Sequence, residues 1–233
     1  MKTKFIMAFL LMASTTAFSQ SNFYFGIDAA KVHDQLLVNN TNSKITPAYP
    51  HFVKPSTSLY VGYLLNSYVS LETGFVNKPY SQGFSYQESP NSTRGYGTSL
   101  SDRWQIPLRL VTHIPLYKDK LSIQTAVGYH FGFNPYSSSS IYVVGNAENG
   151  FHVENLVNPN YSLLEIGFRL NFQLNKAWSI YTTASIFKGL TTVDQKIITE
   201  RQAGQVIGNN TIIDQGSYHS FGLGVSFSPF NGK

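Results

Sequence analysis

Residues 121–132 read LSIQTAVGYHFG. Leu121, Ile123, Thr125, Val127, Tyr129 and Phe131 alternate with Ser122, Gln124, Ala126, Gly128, His130 and Gly132. A repeat of two is the side-chain period of a β-strand, so one face of this strand is large and apolar and the other small and polar. The run outlasts the average soluble strand of about 5–6 residues. It reaches the roughly 9–11 that a tilted strand needs to cross a bilayer.

The same alternation recurs on both sides of this segment. It predicts strands over 23–29, 58–65, 69–75, 104–110, 164–173 and 220–227, with a further strand at 178–187 whose facing the pattern leaves open. With 121–132 these make eight. The connections alternate strictly in length. Asn66-Ser67, residues 115–120 and Asn175-Lys176 are short, whereas 39–57, 78–101, 134–160 and 189–216 are long and rich in Asn, Ser, Gly and Pro. In a closed up-and-down barrel alternate connections lie at opposite rims, and outer-membrane barrels have short periplasmic turns and long extracellular loops. The fold class expected is therefore all-β: an eight-stranded antiparallel up-and-down transmembrane β-barrel, with both termini on the periplasmic side.

The facing of the strands separates this reading from a soluble, lipocalin-like barrel binding an apolar ligand, which would turn its polar face to water. Here the polar face is mostly small: Gly26, Gly62, Gly74, Gly128, Gly132, Gly167, Gly222 and Gly224, with Ser and Ala between them. Small residues suit the cramped interior of an eight-stranded barrel, whereas a solvated surface would carry Lys, Glu and Arg. The few strand charges, Asp28, Glu72, Arg109, Glu165 and Arg169, share that face and include both signs. Glu72, Arg109, Glu165 and Arg169 are accordingly the candidate lumen network, read either as ion pairs filling the barrel or as an ion-selective constriction. Trp104 and Trp178 open their strands at opposite rims, as interfacial aromatics do. Tyr68, Tyr117, Tyr129, Tyr161 and Tyr218 are further girdle candidates.

The chain has 233 residues, a net charge of +5, 12% charged residues and 15% aromatics. Soluble domains carry roughly 25% charge. The absence of Cys excludes a disulfide framework and cysteine-based metal or redox chemistry. Residues 1–19 predict a cleaved signal peptide: Lys2 and Lys4, an apolar run over 5–12, and Ala17-Phe18-Ser19 before Gln20. The remainder, 20–233, is expected to form one barrel domain. Without the two leader lysines the charge falls from +5 to +3, too little for a nucleic-acid binder.

Catalytic patterns are sparse. His33, His51, His113, His130, His152 and His219 are scattered, and HExxH, G-x-S-x-G and P-loop motifs are missing. His219-Ser220 is the most suggestive pair, but adjacent strand residues point to opposite faces, out of reach of a shared proton. No enzyme activity, cofactor or metal is expected. The long connections hold Tyr80, Phe84, Tyr86, Tyr96, Tyr136 and Tyr142 among Ser and Asn, a mix suited to adaptable binding surfaces.

Ser70-Leu71-Glu72-Thr73-Gly74-Phe75, a long connection, then Trp104-Gln105-Ile106-Pro107-Leu108-Arg109-Leu110, with Gly128-Tyr129 following, resembles the small outer-membrane β-barrel domain proteins of Gram-negative bacteria, the PorT-like and OmpA/OmpX-like barrels. The resemblance spans the chain after the leader. It implies outer-membrane lipid as the surrounding medium. It also implies a structural or surface-interaction role, with envelope proteins, including those of a secretion complex, as partners of the long loops. A narrow porin-like channel and a lipid-modifying enzyme are the alternatives. One departure is that Phe227 and Phe230 are followed by Asn231-Gly232-Lys233, where such barrels often end on an aromatic.

Overall fold

The computed structural model describes residues 22–40, 45–48, 54–89, 92–118, 120–135, 140–145 and 150–229. The expected signal peptide lies outside the described residues. The elements are β1 (Phe23–Asn40), β2 (Ile45–Ala48), β3 (Ser56–Leu64), β4 (Val69–Ser89), β5 (Ser92–Tyr117), β6 (Leu121–Phe133), β7 (Ser140–Gly145), β8 (Gly150–Val157), β9 (Asn160–Gln173), β10 (Trp178–Gly189), β11 (Asp194–Gln202) and β12 (Gln205–Phe227). Eight of them close a barrel in the order β1-β3-β4-β5-β6-β9-β10-β12, with β12 returning to β1. Every pairing around it is antiparallel. Seven of the eight expected strands lie within one of these, and the eighth, over 58–65, runs one residue past the end of β3 at Leu64.

The facing follows the alternation. Ile27, Leu59, Leu108, Val127, Ile166 and Leu223 are exposed on the outside, while Glu72, Arg109, His130, Glu165 and Arg169 are buried within. On β10, whose facing the sequence left open, Ile180 and Ile186 point out and Tyr181 and Phe187 point in. The outward apolar run on β5 extends from Trp104 to Ile114. Its ten or so steps at about 3.3 Å, tilted by about 40°, give a band about 25 Å tall, the height of a membrane-barrel belt.

Short turns form where side chains cap the backbone. Asn66 Oδ1 accepts hydrogen bonds from the N–H groups of Tyr68 (2.8 Å) and Val69 (2.9 Å). Asn175 Oδ1 does the same for Ala177 (2.8 Å) and Trp178 (2.9 Å). These side chains mimic a backbone turn, which is why Asn occurs there.

The long connections differ from expectation, because they are largely strand. β4 and β5 stay paired as far as Ser89 and Ser92, through most of the segment expected as a loop. β2, β7, β8 and β11 lie in the other three. Beyond the barrel they build two facing sheets, β2-β4-β5 and the overhang of β1-β12-β11-β8-β7. Between them Ile45 and Phe84 from the first pack with Phe151, Val153, Ile198 and Ile212 from the second. The Phe84 and Phe151 rings meet edge to face at 5.8 Å. Burying each of these side chains contributes about 1.5–3 kcal/mol, enough to hold an extension that the Asn- and Ser-rich sequence does not advertise. Tyr80 and Phe84, expected on exposed loops, are buried here. The side chains of Tyr96, Tyr136 and Tyr142 lie outside the described residues.

Candidate functional site

The barrel interior is a column of polar side chains. Its wall is built from cross-strand pairs of tyrosine and glycine. Tyr60 lies opposite Gly26, Tyr24 opposite Gly62, Tyr161 opposite Gly132 and Tyr181 opposite Gly224. Each ring folds flat over its glycine; a Cβ on Gly26 would sit 2.1 Å from the Tyr60 ring, and one on Gly132 would sit 2.2 Å from that of Tyr161. Glycine is required because another backbone or ring approaches there. Near the short-turn rim Tyr24, Tyr60 and Tyr181 pack together as a collar.

The four candidate lumen residues come together just above this collar. Arg169 is forked across Glu72, with Nη1–Oε1 at 2.6 Å and Nη2–Oε2 at 2.9 Å. Arg109 Nε donates to Glu165 Oε2 at 2.5 Å, and its Nη1 lies 3.8 Å from Glu72. The Arg169 guanidinium also stacks over Tyr60, 4.6 Å from the ring centroid. Tyr24 donates to Glu72 (2.9 Å) and Ser185 to Glu165 (2.9 Å). Charges this deeply buried are tolerated because they are paired and their remaining lone pairs are hydrogen-bonded. Asp28 is held nearby by Tyr181 at 3.1 Å and by Ser58.

The column continues upward through residues beyond the four lumen candidates. His130 Nε2 lies 2.6 Å from Glu165 and its Nδ1 3.0 Å from Gln105 Oε1. Tyr218 donates to that Gln105 oxygen at 3.1 Å. Above them Lys78 pairs with Asp34 at 2.5 Å, and Arg103 with Asp214 at 2.5 Å. Arg103 also stacks on Tyr80 at 3.2 Å and lies 3.9 Å from Asp194. This upper layer could have been found by parity alone. Lys78 and Tyr80 continue the inward series Glu72, Gly74, Val76, and Arg103 continues that of Arg109, Pro107, Gln105.

In the extension, burial pushes the Asp194 carboxyl up against the pull of Arg103 and Lys196. Burial likewise pushes Lys196 down, opposed by Asp194. A cavity of about 30 Å³ among Arg109, Glu165, Arg169 and Ser185 has room for about one water. Among the described residues no group of three or more His, Asp or Glu could hold a metal ion.

The aromatic belts are partly as expected. Trp104 packs on Phe75 with centroids 4.6 Å apart at the long-connection rim, and Trp178 on Phe227 at 4.7 Å by the short turns. Tyr68, Tyr117 and Tyr129 are exposed. Tyr161 and Tyr218, expected in the girdles, instead point into the lumen, because their glycine and Gln105 partners are inside. His219 is turned outward, with Nε2 2.6 Å from Gln35 Nε2, while Ser220 lines the internal cavity.

No protein-family model and no curated relative matches the chain. Among solved structures, the outer membrane protein OprG from Pseudomonas aeruginosa superposes with a TM-score of 0.52 at 11% identity, over 90% of this chain and 97% of OprG. The fold is that of the small outer-membrane β-barrels. Two further barrels align less closely: the N-terminal domain of Pseudomonas aeruginosa OprF (TM-score 0.42, 12% identity, 89% of this chain and 98% of that one) and AlkL in lipid bilayers (0.46, 14%, 90% of each). On this fold the chain carries a two-sheet extension and two stacked charge layers.

Proposed function

We propose that the chain is a non-enzymatic outer-membrane barrel that presents its two-sheet extension at the cell surface as an interaction module. In this reading the short turns and both termini are periplasmic. The observation that carries it is the filled lumen: among the described residues tyrosine collar, ion-paired layers and apolar extension core are stacked along one axis, and the cavity beside Arg109, Glu165 and Arg169 has room for about one water. A barrel plugged over its whole height serves as a rigid anchor, and rigid scaffolds carry function on what projects from them. The OprG likeness supports the fold alone. The partners expected are envelope or surface proteins that dock on the extension.

The test uses an epitope inserted between Ala203 and Gly204, in the turn that joins β11 to β12. Labelling of that epitope on intact cells, together with no ion current from the purified barrel in planar bilayers, is the expected result. An epitope reached only after the envelope is opened would overturn the orientation. Resolved conductance steps would overturn the plugged anchor in favour of a narrow channel.

A further inference from the structure

The outer face of β1, β10 and β12 differs from the rest of the belt in shape and in charge. At mid-height, side chains shrink to Ala29 and Thr182 between Leu170, Leu223 and Val225, leaving an apolar recess of about 610 Å³. The recess reaches Ala29, the last apolar outward position on β1, while above it the apolar runs continue to Phe221 on β12 and through Ala184 to Ile186 on β10. The next outward residues are Lys31, His219 and Lys188, with His33 directly opposite His219. Pairing register places Lys31 beside Phe221, His219 beside Ile186, and Lys188 one outward position beyond. Lys31, His219 and Lys188 thus form a diagonal row, each about 5 Å across to the next strand and about 7 Å along it from the last. The diagonal follows the stagger of a tilted barrel, so the row lies at one height around the wall.

No carboxylate offsets this row on its own strands. The acidic residues of β1, β12 and β9 are Asp28, Asp34, Asp214 and Glu165, β10 has none, and all four are engaged on the inner side. Bringing a cationic row to the edge of an apolar belt, with a recess in the belt below it, matches an amphiphile with an anionic head and an apolar tail.

We propose that this face is a binding site for a phosphate-bearing lipid of the surrounding leaflet. Its acyl chain lies in the recess over Ala29 and Thr182, and its phosphate sits at the row, drawn by Lys31 and Lys188. The site rests on the membrane reading given above, and each protein tested is first checked for a heat-dependent shift in gel migration, which reports a closed membrane barrel independently of lipid.

The experiment measures lipid retention by native mass spectrometry of the full chain in neutral detergent. The probes are a phosphatidic acid, the diacylglycerol with the same chains, and inorganic phosphate. Phosphatidic acid is expected to be retained at least about tenfold more strongly than diacylglycerol, and inorganic phosphate not at all. Lys31→Gln with Lys188→Gln should bring phosphatidic acid down to the diacylglycerol level. Thr182→Phe, which fills the recess, should lower retention of both lipids. Lys118→Gln with Lys120→Gln, at the opposite rim, should change nothing. Equal retention of the two lipids, or an equal loss from the Lys118/Lys120 pair, would overturn the site. A wild-type chain with no heat-dependent shift would instead overturn the membrane reading beneath it.

Discussion

Removing Arg169 would leave Glu72 charged in the middle of the barrel, with Tyr24 and a distant Arg109 as its remaining partners. Stranding one member of a buried pair costs about 3–5 kcal/mol, whereas replacing both by apolar groups of similar size costs far less. Arg169→Ala should therefore lower the temperature at which the unboiled band converts to the boiled one far more than Glu72→Leu combined with Arg169→Met. Equal losses would mean that the pair supplies net stability and does not merely neutralise itself. A steric counterpart lies at Gly132, where any Cβ meets the Tyr161 ring. Gly132→Val should block closure of the barrel, with the heat-dependent shift lost, and Tyr161→Ala in the same chain should restore it. Asp194 gives a pH dependence. Its folded pKa is raised above the ordinary 3.8 by burial, so its contribution is fully present below that value and is lost as pH rises through the raised one. Hydrogen-exchange protection of the β11 amides, corrected for intrinsic rate, should fall over that window in the wild type and stay flat there in Asp194→Asn.

At the scale of elements, legibility depended on whether one face of a strand was consistently apolar. β6 and β9 could be read from residue types alone, since Leu121 to Phe131 and Leu164 to Phe172 keep their large side chains on one side. Glu72, Arg109, Glu165 and Arg169 were legible as lumen residues for the same reason: period two put them on the glycine face. β11 could not be read this way. Its inward positions are Asp194, Lys196, Ile198 and Glu200, so charge and apolar residues share a face and Ile197-Ile198 breaks the alternation. Asp194 lies 3.9 Å from Arg103, which also binds Asp214; the inward parity of β5 places Arg103 in the lumen, but its meeting with a residue so distant in sequence is announced by no local pattern. The overhangs of β4 and β5 were hidden by composition, because Ser, Asn and Gly read as loop until Phe84 finds Phe151 across the gap. That dependence is testable. Phe84 is fully buried, and Phe84→Ala should cost the extension about 3–5 kcal/mol. Protease should then cut the extension rapidly, while the barrel keeps its heat-dependent migration, because the extension core and the tyrosine collar share no residue.

For the whole molecule, the question is which layer closes the lumen. If the extension were the stopper, deleting the hairpin over residues 140–157 would open a pore. The stacking argues otherwise. Below the extension lie Lys78 with Asp34 and Arg103 with Asp214, then His130 with Gln105, then the Arg169–Glu72 and Arg109–Glu165 pairs, and last the collar of Tyr24, Tyr60 and Tyr181. Each bridges the wall from different strands, as expected in an eight-stranded barrel whose interior is just wide enough for side chains to fill. An ion would have to break several charge-assisted bonds in succession, and each broken bond would expose a buried charge. The hairpin-deleted chain should therefore pass no more current in planar bilayers than the intact one, from which none is expected. Conductance that appears only on deletion would make the extension a gate, and the interior pairs would then be the lining of its channel.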